Sequence, residues 1–108
     1  MIAQTINLDY KIKHATSFQD RFKGLLFHKK PIVDEGLLIT PCNSIHMFFM
    51  RFPIDVVFLD RSNNVVKSVS NIKPWRIVPP VQTAHSALEL PSGTIIQRNI
   101  REGDKITF

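Results

Sequence analysis

Residues 54–59 read Ile-Asp-Val-Val-Phe-Leu, and this stretch decides the fold of the chain. Apolar side chains occupy odd and even positions alike, whereas a strand with one face in solvent alternates apolar and polar residues. The stretch therefore predicts a central strand that is covered on both faces. Residues 45–50 are apolar on both parities except at His46. They predict a second central strand, which Pro53 separates from the first.

Further strands flank this centre on both sides. Residues 2–14 alternate apolar and polar side chains, which predicts one half-buried strand or two strands in succession. Residues 60–64 read Asp-Arg-Ser-Asn-Asn, a composition typical of a hairpin turn. Residues 72–84 contain three prolines and are predicted to form an extended loop that holds Trp75. The remaining predicted strands lie at residues 36–39, 65–72, 84–90 and 105–108.

Two helices are predicted, one early and one late. Ser17 has the position of a helix N-cap, with Asp20 three residues later, and Pro31 ends the helix that follows. The apolar face of this helix is predicted to consist of Phe18, Phe22, Leu25 and Leu26. Residues 94–99 predict a short second helix. The residues expected to face the core around this second helix are Ile95, Ile96 and Ile100.

These elements define a fold class. The 108 residues suffice for one domain and leave no room for a second core. With 44% hydrophobic and 21% charged residues, the composition is that of a globular protein. Regular strand–helix alternation is absent, which argues against a doubly wound sheet. We therefore predict a single domain over residues 1–108: a β-rich α+β fold with a mostly antiparallel sheet, curled or barrel-like.

The composition also excludes several classes of protein. No apolar run approaches the ~20 residues that a membrane-spanning helix needs. The first residues lack the basic start and apolar stretch of a signal peptide, and the single cysteine, Cys42, excludes an internal disulfide framework. We expect a soluble, cytoplasmic protein. Edge strands permit pairing between copies, so we expect either a monomer or a weak homodimer.

The net charge of +5 raises the question of an anionic partner. Basic residues of the first third alternate with Asp9, Asp20, Asp34 and Glu35 instead of forming a patch. The chain also lacks the spacing of a Cys/His finger and the signature of an RNA-binding sheet. These observations argue against nucleic-acid binding, although a weakly held anionic partner is compatible with the charge.

Six motifs occur in an order that resembles a known family. They read RFKGLL at 21–26, EGLL at 35–38, CNSIHMFFMRFPIDVVFLD at 42–60, KPWR at 73–76, ALELPSGT at 87–94 and GD at 103–104. Together they resemble the domain-of-unknown-function family 192, also called uncharacterised protein family 0127. The chain departs from the family pattern at Leu26, where Met is usual, and at Phe49, where this subgroup often has Gly.

The resemblance implies a fold but no activity. The family is bacterial and archaeal, its fold is a compact β-rich α+β domain, and no activity is established for it. Many of its members carry export signals or lipoprotein anchors, neither of which is found in this sequence.

Asp55 is the most informative polar residue because it lies inside the strand predicted to be buried on both faces. A buried carboxylate must be paired or hydrogen-bonded, or must keep its proton. The candidate partners are Arg21, Arg51 and His46. Asp55 is then either a structural anchor or a perturbed carboxylate that acts as a general base or organises an anion site.

His46 is the second candidate for chemistry. It is either a core residue or a proton-transfer group at the mouth of a pocket. Cys42, His46 and Met50 would lie on the same face of a strand, and side chains of these types can bind copper. However, residues four apart in a strand have Cα atoms ~13 Å apart. This distance argues against a metal site and against a thiol–imidazole pair, so neither a metal nor another cofactor is predicted. His85 and Glu89 are predicted to be surface groups.

Two functions follow from these residues. The favoured one is a non-catalytic module that binds a protein segment or a small ligand in a groove lined by His46, Phe48 and Trp75. Its candidate ligand-binding residues are Arg21, His46, Met50, Arg51 and Trp75. The alternative is a small hydrolase or lyase in which His46 and Asp55 are catalytic and an arginine holds an anion. Trp75 itself either forms a partner-binding edge or plugs one end of the core.

Overall fold

The computed structural model describes residues 3–23 and 29–108. Over these residues the chain forms nine strands and two short helices. In chain order they are β1 (Thr5–Asn7), β2 (Lys11–Ala15), α1 (Phe18–Lys23), β3 (Glu35–Ile39), β4 (Ile45–His46), β5 (Ile54–Leu59), β6 (Val65–Ile72), β7 (Ile77–Val78), β8 (Ser86–Pro91), α2 (Thr94–Gln97) and β9 (Lys105–Thr107). No helix of the described residues is long and apolar enough to cross a membrane.

The main sheet has five strands in the order β2-β3-β8-β5-β6. Strands β2 and β3 are parallel, and the other three pairs are antiparallel. Because β2 and β6 end the order, the sheet is open, and the barrel-like closure expected from the sequence does not occur. Two smaller sheets complete the fold, a parallel pair of β1 with β9 and an antiparallel pair of β4 with β7.

Strand β5 confirms the central strand predicted from its apolar run, since all six of its residues are buried. Its neighbour β8 is buried too, from Ser86 to Leu90. Residues 84–90 confirm a strand, but their alternation of apolar and polar residues does not correspond to one face in solvent. Strand β8 lies between β3 and β5, and a core cluster covers each face of the sheet at this strand, so even its polar residues are buried.

The main sheet separates two apolar clusters, and the odd-numbered residues of β8 face a different cluster from the even-numbered ones. One cluster holds Leu37, Ile39, Ile54, Val56, Phe58 and Ala87 of the main sheet, with Ile45, Met47, Met50, Phe52 and Val78 packed over them. The other holds Leu38, Val57, Leu59, Val65, Leu88 and Leu90, with Leu8, Ile95, Ile100 and Ile106. Each face of the sheet thus has its own core, which explains why its central strands are continuously apolar.

The central strand predicted for residues 45–50 is wrong. Only Ile45 and His46 are in a strand, β4, and this strand pairs with β7 outside the main sheet. The chain then turns, because the carbonyl oxygen of Met47 accepts the N–H groups of both Met50 and Trp75. In this turn Met47 and Met50 are buried, whereas Phe48 and Phe49 are exposed. The run of apolar residues therefore does not mark a buried strand.

Helix α2 ends two residues earlier than the sequence predicts, and α1 is described as far as Lys23. The hydroxyl of Ser17 accepts the N–H of Asp20 at 3.1 Å, which confirms Ser17 as the N-cap of α1. The predicted face residues Leu25 and Leu26 lie outside the described residues. In α2, Ile96 is 77% exposed, contrary to the prediction that it faces the core. Neighbouring residues of a helix point about 100° apart, so in one turn Ile96 cannot share the direction of the buried Ile95.

Gly36 permits a close approach of β8 to β3, and we expect Gly36→Ala to lower the free energy of unfolding by about 1 to 2 kcal/mol. A Cβ atom at this position would lie 2.9 Å from the carbonyl oxygen of Glu89 and 2.9 Å from the side chains of Ile12 and Leu90. The backbone oxygen cannot move without disturbing the sheet. Urea unfolding of the two proteins measures the difference. Equal free energies of unfolding for Gly36→Ala and the wild type would show that β8 can move away to accommodate the added Cβ atom.

Candidate functional site

Asp55 is enclosed by backbone donors. Its Oδ1 atom accepts the N–H of Asn71 at 2.8 Å, and its Oδ2 atom accepts those of Gly93 at 3.1 Å and Ile95 at 2.8 Å. The residue is fully buried. The carboxylate therefore ties the end of β6 and the start of α2 to the central strand. It is hydrogen-bonded as a buried carboxylate must be.

The partners predicted for Asp55 were wrong, because these donors are backbone groups and not Arg21, Arg51 or His46. The sequence could not show this, since backbone groups are present at every position. His46 is exposed on β4, whereas the oxygens of Asp55 are directed at the start of α2. This arrangement argues against His46 and Asp55 as a catalytic pair.

Four rings form a continuous surface group, which we call the aromatic cluster: His46, Phe48, Phe49 and Trp75. The ring centroids of His46 and Phe48 are 5.1 Å apart, those of Phe48 and Trp75 5.9 Å, and those of Phe49 and Trp75 4.9 Å. Ile77 of β7 pairs with His46 of β4 and adds an exposed apolar side chain. The two turns that follow β4 and precede β7 thus present one apolar surface.

The aromatic cluster is turned towards solvent. Phe49 is 69% exposed and Trp75 is 58% exposed. Trp75 therefore does not plug the core, which was one of the two predictions for it. Both residues also have left-handed backbone conformations, with φ of 65° at Phe49 and 69° at Trp75. Such conformations cost an L-residue roughly 1–2 kcal/mol, so two bulky rings are held at the surface against a local preference.

The surroundings of the aromatic cluster carry positive charge. No Asp or Glu occurs in residues 36–54 or 61–85, the two segments that contribute the rings. Arg51, Lys73 and Arg76 of these turns are exposed. The structure thus combines exposed rings with cationic side chains, which suits a partner that is apolar and negatively charged.

The structure brings some of the predicted ligand-binding residues together and separates others. His46 and Trp75 belong to the aromatic cluster, and Arg51 follows its turn. Met50 is only 7% exposed and packs in the core beneath. Arg21 lies in α1, where its Nη1 atom donates to the carbonyl oxygen of Pro41 at 3.1 Å.

Sequence reasoning missed Phe49 and Ile77 as parts of this surface. The one signal for Phe49 was that it stands where this family subgroup often has Gly, the residue that best tolerates a left-handed conformation.

A second unusual group surrounds Glu89 in the middle of β8. Glu89 is only 6% exposed, and its Oε1 atom has no hydrogen-bond partner in the described part of the chain. It pairs with Leu37 of β3 and Val56 of β5, so apolar residues flank it on both sides. This burial raises the pKa of Glu89 to about 7. The prediction that Glu89 is a surface group was wrong.

Cys42 interacts electrostatically with this carboxyl group and with Arg21 of α1. The Nε atom of Arg21 is buried and, within residues 3–23 and 29–108, has no hydrogen-bond partner. Burial raises the pKa of the Cys42 thiol, and the charge of Glu89 adds to the rise. A backbone hydrogen bond with Ser44 and the guanidinium of Arg21 act in the opposite direction. Cys42 is thus within electrostatic reach of both charged groups.

Cys42 also opens to the surface. A depression of about 230 Å³ is lined by Pro41, Cys42, Asn43, Ala84 and His85. Ala84 and His85 also line a neighbouring depression of about 440 Å³ that extends to the turn at Asp60. Among the described residues there is no group of three or more His, Cys, Asp or Glu side chains that could hold a metal ion.

Comparison with known proteins gives consistent matches. A family model described as "DUF192: Uncharacterized ACR, COG1430" matches residues 1–108. A UPF0127 protein of Thermococcus kodakarensis is 39% identical over 104 residues, which are 91% of this chain and 64% of that protein. A UPF0127 protein of Pyrococcus horikoshii is 41% identical over 110 residues, which are 98% of this chain and 94% of that protein. This chain therefore spans less than two thirds of the Thermococcus relative.

A solved structure shows the same fold. A protein of unknown function from Novosphingobium aromaticivorans has a TM-score of 0.79 at 22% sequence identity, with 89% of this chain and 73% of that chain covered. This likeness confirms the β-rich α+β class predicted from the sequence. The relatives and the family model confirm the resemblance predicted from the six motifs.

Proposed function

We propose that this protein, which belongs to the DUF192 family of uncharacterised proteins, is a binding module whose aromatic cluster contacts an acidic segment of a partner protein. The observation that carries the proposal is the pair of exposed rings, Phe49 and Trp75, held in left-handed conformations. Neither ring is needed to fill the core. A costly conformation that only places a ring in solvent is a reason to expect a function outside the fold.

Exposed aromatic and arginine side chains are the residues that contribute most to protein–protein contacts. Tryptophan and arginine are enriched among residues whose truncation weakens binding strongly. Here Trp75 and Arg76 are neighbours in one turn, and Phe49 and Arg51 lie in the other. The rings already pack against one another, so a partner would meet a surface with little side-chain freedom to lose.

The positive charge around the aromatic cluster indicates which kind of partner it favours. The segments around the aromatic cluster carry basic residues and no acidic ones, which favours a partner rich in Asp or Glu. A second copy of the chain is disfavoured, because two surfaces of like charge repel each other and the chain has a net charge of +5. Single-stranded nucleic acid and anionic lipid have the same sign of charge, so the experiment must separate them from a peptide.

Replacing both strained rings is expected to weaken binding strongly without destabilising the fold. In the Phe49→Gly, Trp75→Gly double variant, we expect the free energy of unfolding to stay unchanged or rise by up to about 1 kcal/mol. Relief of the left-handed strain outweighs the added freedom of glycine in the unfolded chain. Urea unfolding followed by circular dichroism measures this, since the signal does not depend on Trp75. A clear loss of stability would show that the rings support the fold.

The double variant then serves as the counter-selection in a binding experiment. We expect random twelve-residue peptides displayed on phage, selected on the wild-type protein, to be enriched in acidic and apolar residues. Chosen peptides should bind the double variant at least about tenfold more weakly, a loss of about 1.4 kcal/mol. Ile96→Ala, which removes an exposed apolar side chain of α2, is the matched control and should bind normally.

Several results would overturn this assignment. Peptides that bind the double variant and the wild type with equal affinity would show that the aromatic cluster is not the site. Absence of enrichment, combined with binding of oligo(dT) or of phosphatidylglycerol vesicles, would assign the surface to nucleic acid or to a membrane instead. Fluorescence of Trp75, the only tryptophan of the chain, reports the titrations of the wild type and of Ile96→Ala, and isothermal titration calorimetry reports those of the double variant, which lacks this residue.

A further inference from the structure

His46 is the ring of the aromatic cluster that can carry a charge. It is exposed on β4, and its ring centroid lies 5.1 Å from that of Phe48. Among the residues that the structure describes, its imidazole has no hydrogen-bond or ion-pair partner. A protonated imidazole has a donor on each ring nitrogen. A partner that covers the cluster therefore meets a hydrogen-bonding group in an otherwise apolar surface.

We infer that His46 determines the preference of the aromatic cluster for acidic segments, because its imidazolium donates a hydrogen bond to an Asp or Glu carboxylate of the bound segment. Phe48, Phe49 and Trp75 contact apolar side chains beside that carboxylate. A hydrogen bond between two ionised groups is about twice as strong as one between neutral groups. This inference rests on the proposed function, since it assigns one contact within the binding site proposed above.

The groups around His46 favour a carboxylate that comes from the partner. The side chains that adjoin it, Phe48 in the turn and Ile77 of β7, are apolar. The segments 36–54 and 61–85 contain no Asp or Glu. The exposed charged residues of the adjoining turns are all cations, namely Arg51, Lys73 and Arg76. Within these segments an imidazolium meets only like charge, and a bound acidic segment supplies the opposite charge.

The contact makes binding depend on pH. A proton on His46 and a carboxylate beside it stabilise each other, so the affinity rises as the pH falls through the range in which histidine side chains titrate, about pH 5 to 8. Lysine and arginine keep their charge throughout this range. We expect an acidic peptide to bind about threefold to fivefold more tightly at about pH 6 than at about pH 8, the effect of one partly exposed ion pair.

Isothermal titration calorimetry at these two pH values tests the inference. The probes are the selected twelve-residue peptides that prefer the wild type to the Phe49→Gly, Trp75→Gly variant. His46→Gln should bind them at both pH values with the affinity of the wild type at about pH 8. His46→Arg keeps its charge and should bind at about pH 8 as tightly as the wild type does at about pH 6. Replacing the contacted peptide carboxylate with its amide should remove the pH dependence of the wild type.

His14→Gln and Glu89→Gln are the matched controls. His14 is exposed on β2, outside the aromatic cluster. Glu89 titrates in the same range, since burial raises its pKa to about 7, but it lies in the middle of β8. Both variants should keep the pH dependence of the wild type. Circular dichroism of each variant at the two pH values verifies that it is folded.

Three results would overturn this inference and leave the proposed function in place. They are equal affinity of the wild type at the two pH values, a pH dependence that persists in His46→Gln, and a pH dependence that disappears in either control variant. In each case the peptides still prefer the wild type to the double variant. Peptides without that preference at either pH would overturn the proposed function and this inference together.

Discussion

Replacing Asp55 with asparagine is expected to lower the free energy of unfolding by about 3 kcal/mol. The three N–H groups of Asn71, Gly93 and Ile95 all point at the carboxylate. An asparagine has one oxygen, and its NH₂ group must face at least one of these donors in either orientation. The variant therefore loses one or two hydrogen bonds and leaves the corresponding N–H groups buried without partners.

The effect is large because Asp55 joins three elements through its two oxygens. Asn71 and Gly93 both have left-handed conformations, with φ of 50° and 97°, so the end of β6 and the turn before α2 are sharply bent. The carboxylate holds both bends against β5. Loss of these contacts frees α2 as well as the end of β6.

Urea unfolding of Asp55→Asn beside Asp60→Asn measures this effect with a matched control. Asp60 also accepts backbone N–H groups, those of Ser62 and Asn64 at 2.9 Å, but it lies in a solvent-accessible turn. Asparagine is common in such turns, so Asp60→Asn should lower the free energy of unfolding by less than about 1 kcal/mol. Equal losses in the two variants would show that the burial of Asp55 does not set the magnitude.

The sequence predicted those strands whose apolar pattern reflects two covered faces. Residues 54–59 have no polar position except Asp55, and only a central strand buries such a run. Residues 45–50 show the same pattern, but the central strand predicted from it does not form, because a turn can bury Met47 and Met50 while exposing Phe48 and Phe49. Composition alone does not distinguish a buried strand from a turn that carries a surface ring.

The candidate sites were harder to predict for related reasons. Trp75 could have filled the core or faced solvent, and only the left-handed turn decides between the two. Glu89 has the polar position of an alternating strand, which led to the prediction of a surface group. Its burial comes from the strands on either side of β8, and the sequence does not state the order of strands in a sheet.

The burial of Glu89 makes the stability of the protein depend on pH. The pKa of Glu89 is raised from 4.5 to about 7 in the folded chain, so between these values the folded state binds a proton that the unfolded state has lost. The free energy of unfolding therefore falls as the pH rises through this window. At about 1.4 kcal/mol per pKa unit the whole contribution is about 3 kcal/mol. It is fully present below about pH 4.5 and is lost above about pH 7.

Comparison with Glu89→Gln isolates this contribution, because glutamine has nearly the same shape and does not titrate. The difference in the free energy of unfolding between the variant and the wild type should shift by about 3 kcal/mol in favour of the variant from about pH 4.5 to pH 8. Other carboxyl groups titrate alike in both proteins and cancel. A difference that stays constant with pH would mean that the fold does not hold the proton on Glu89.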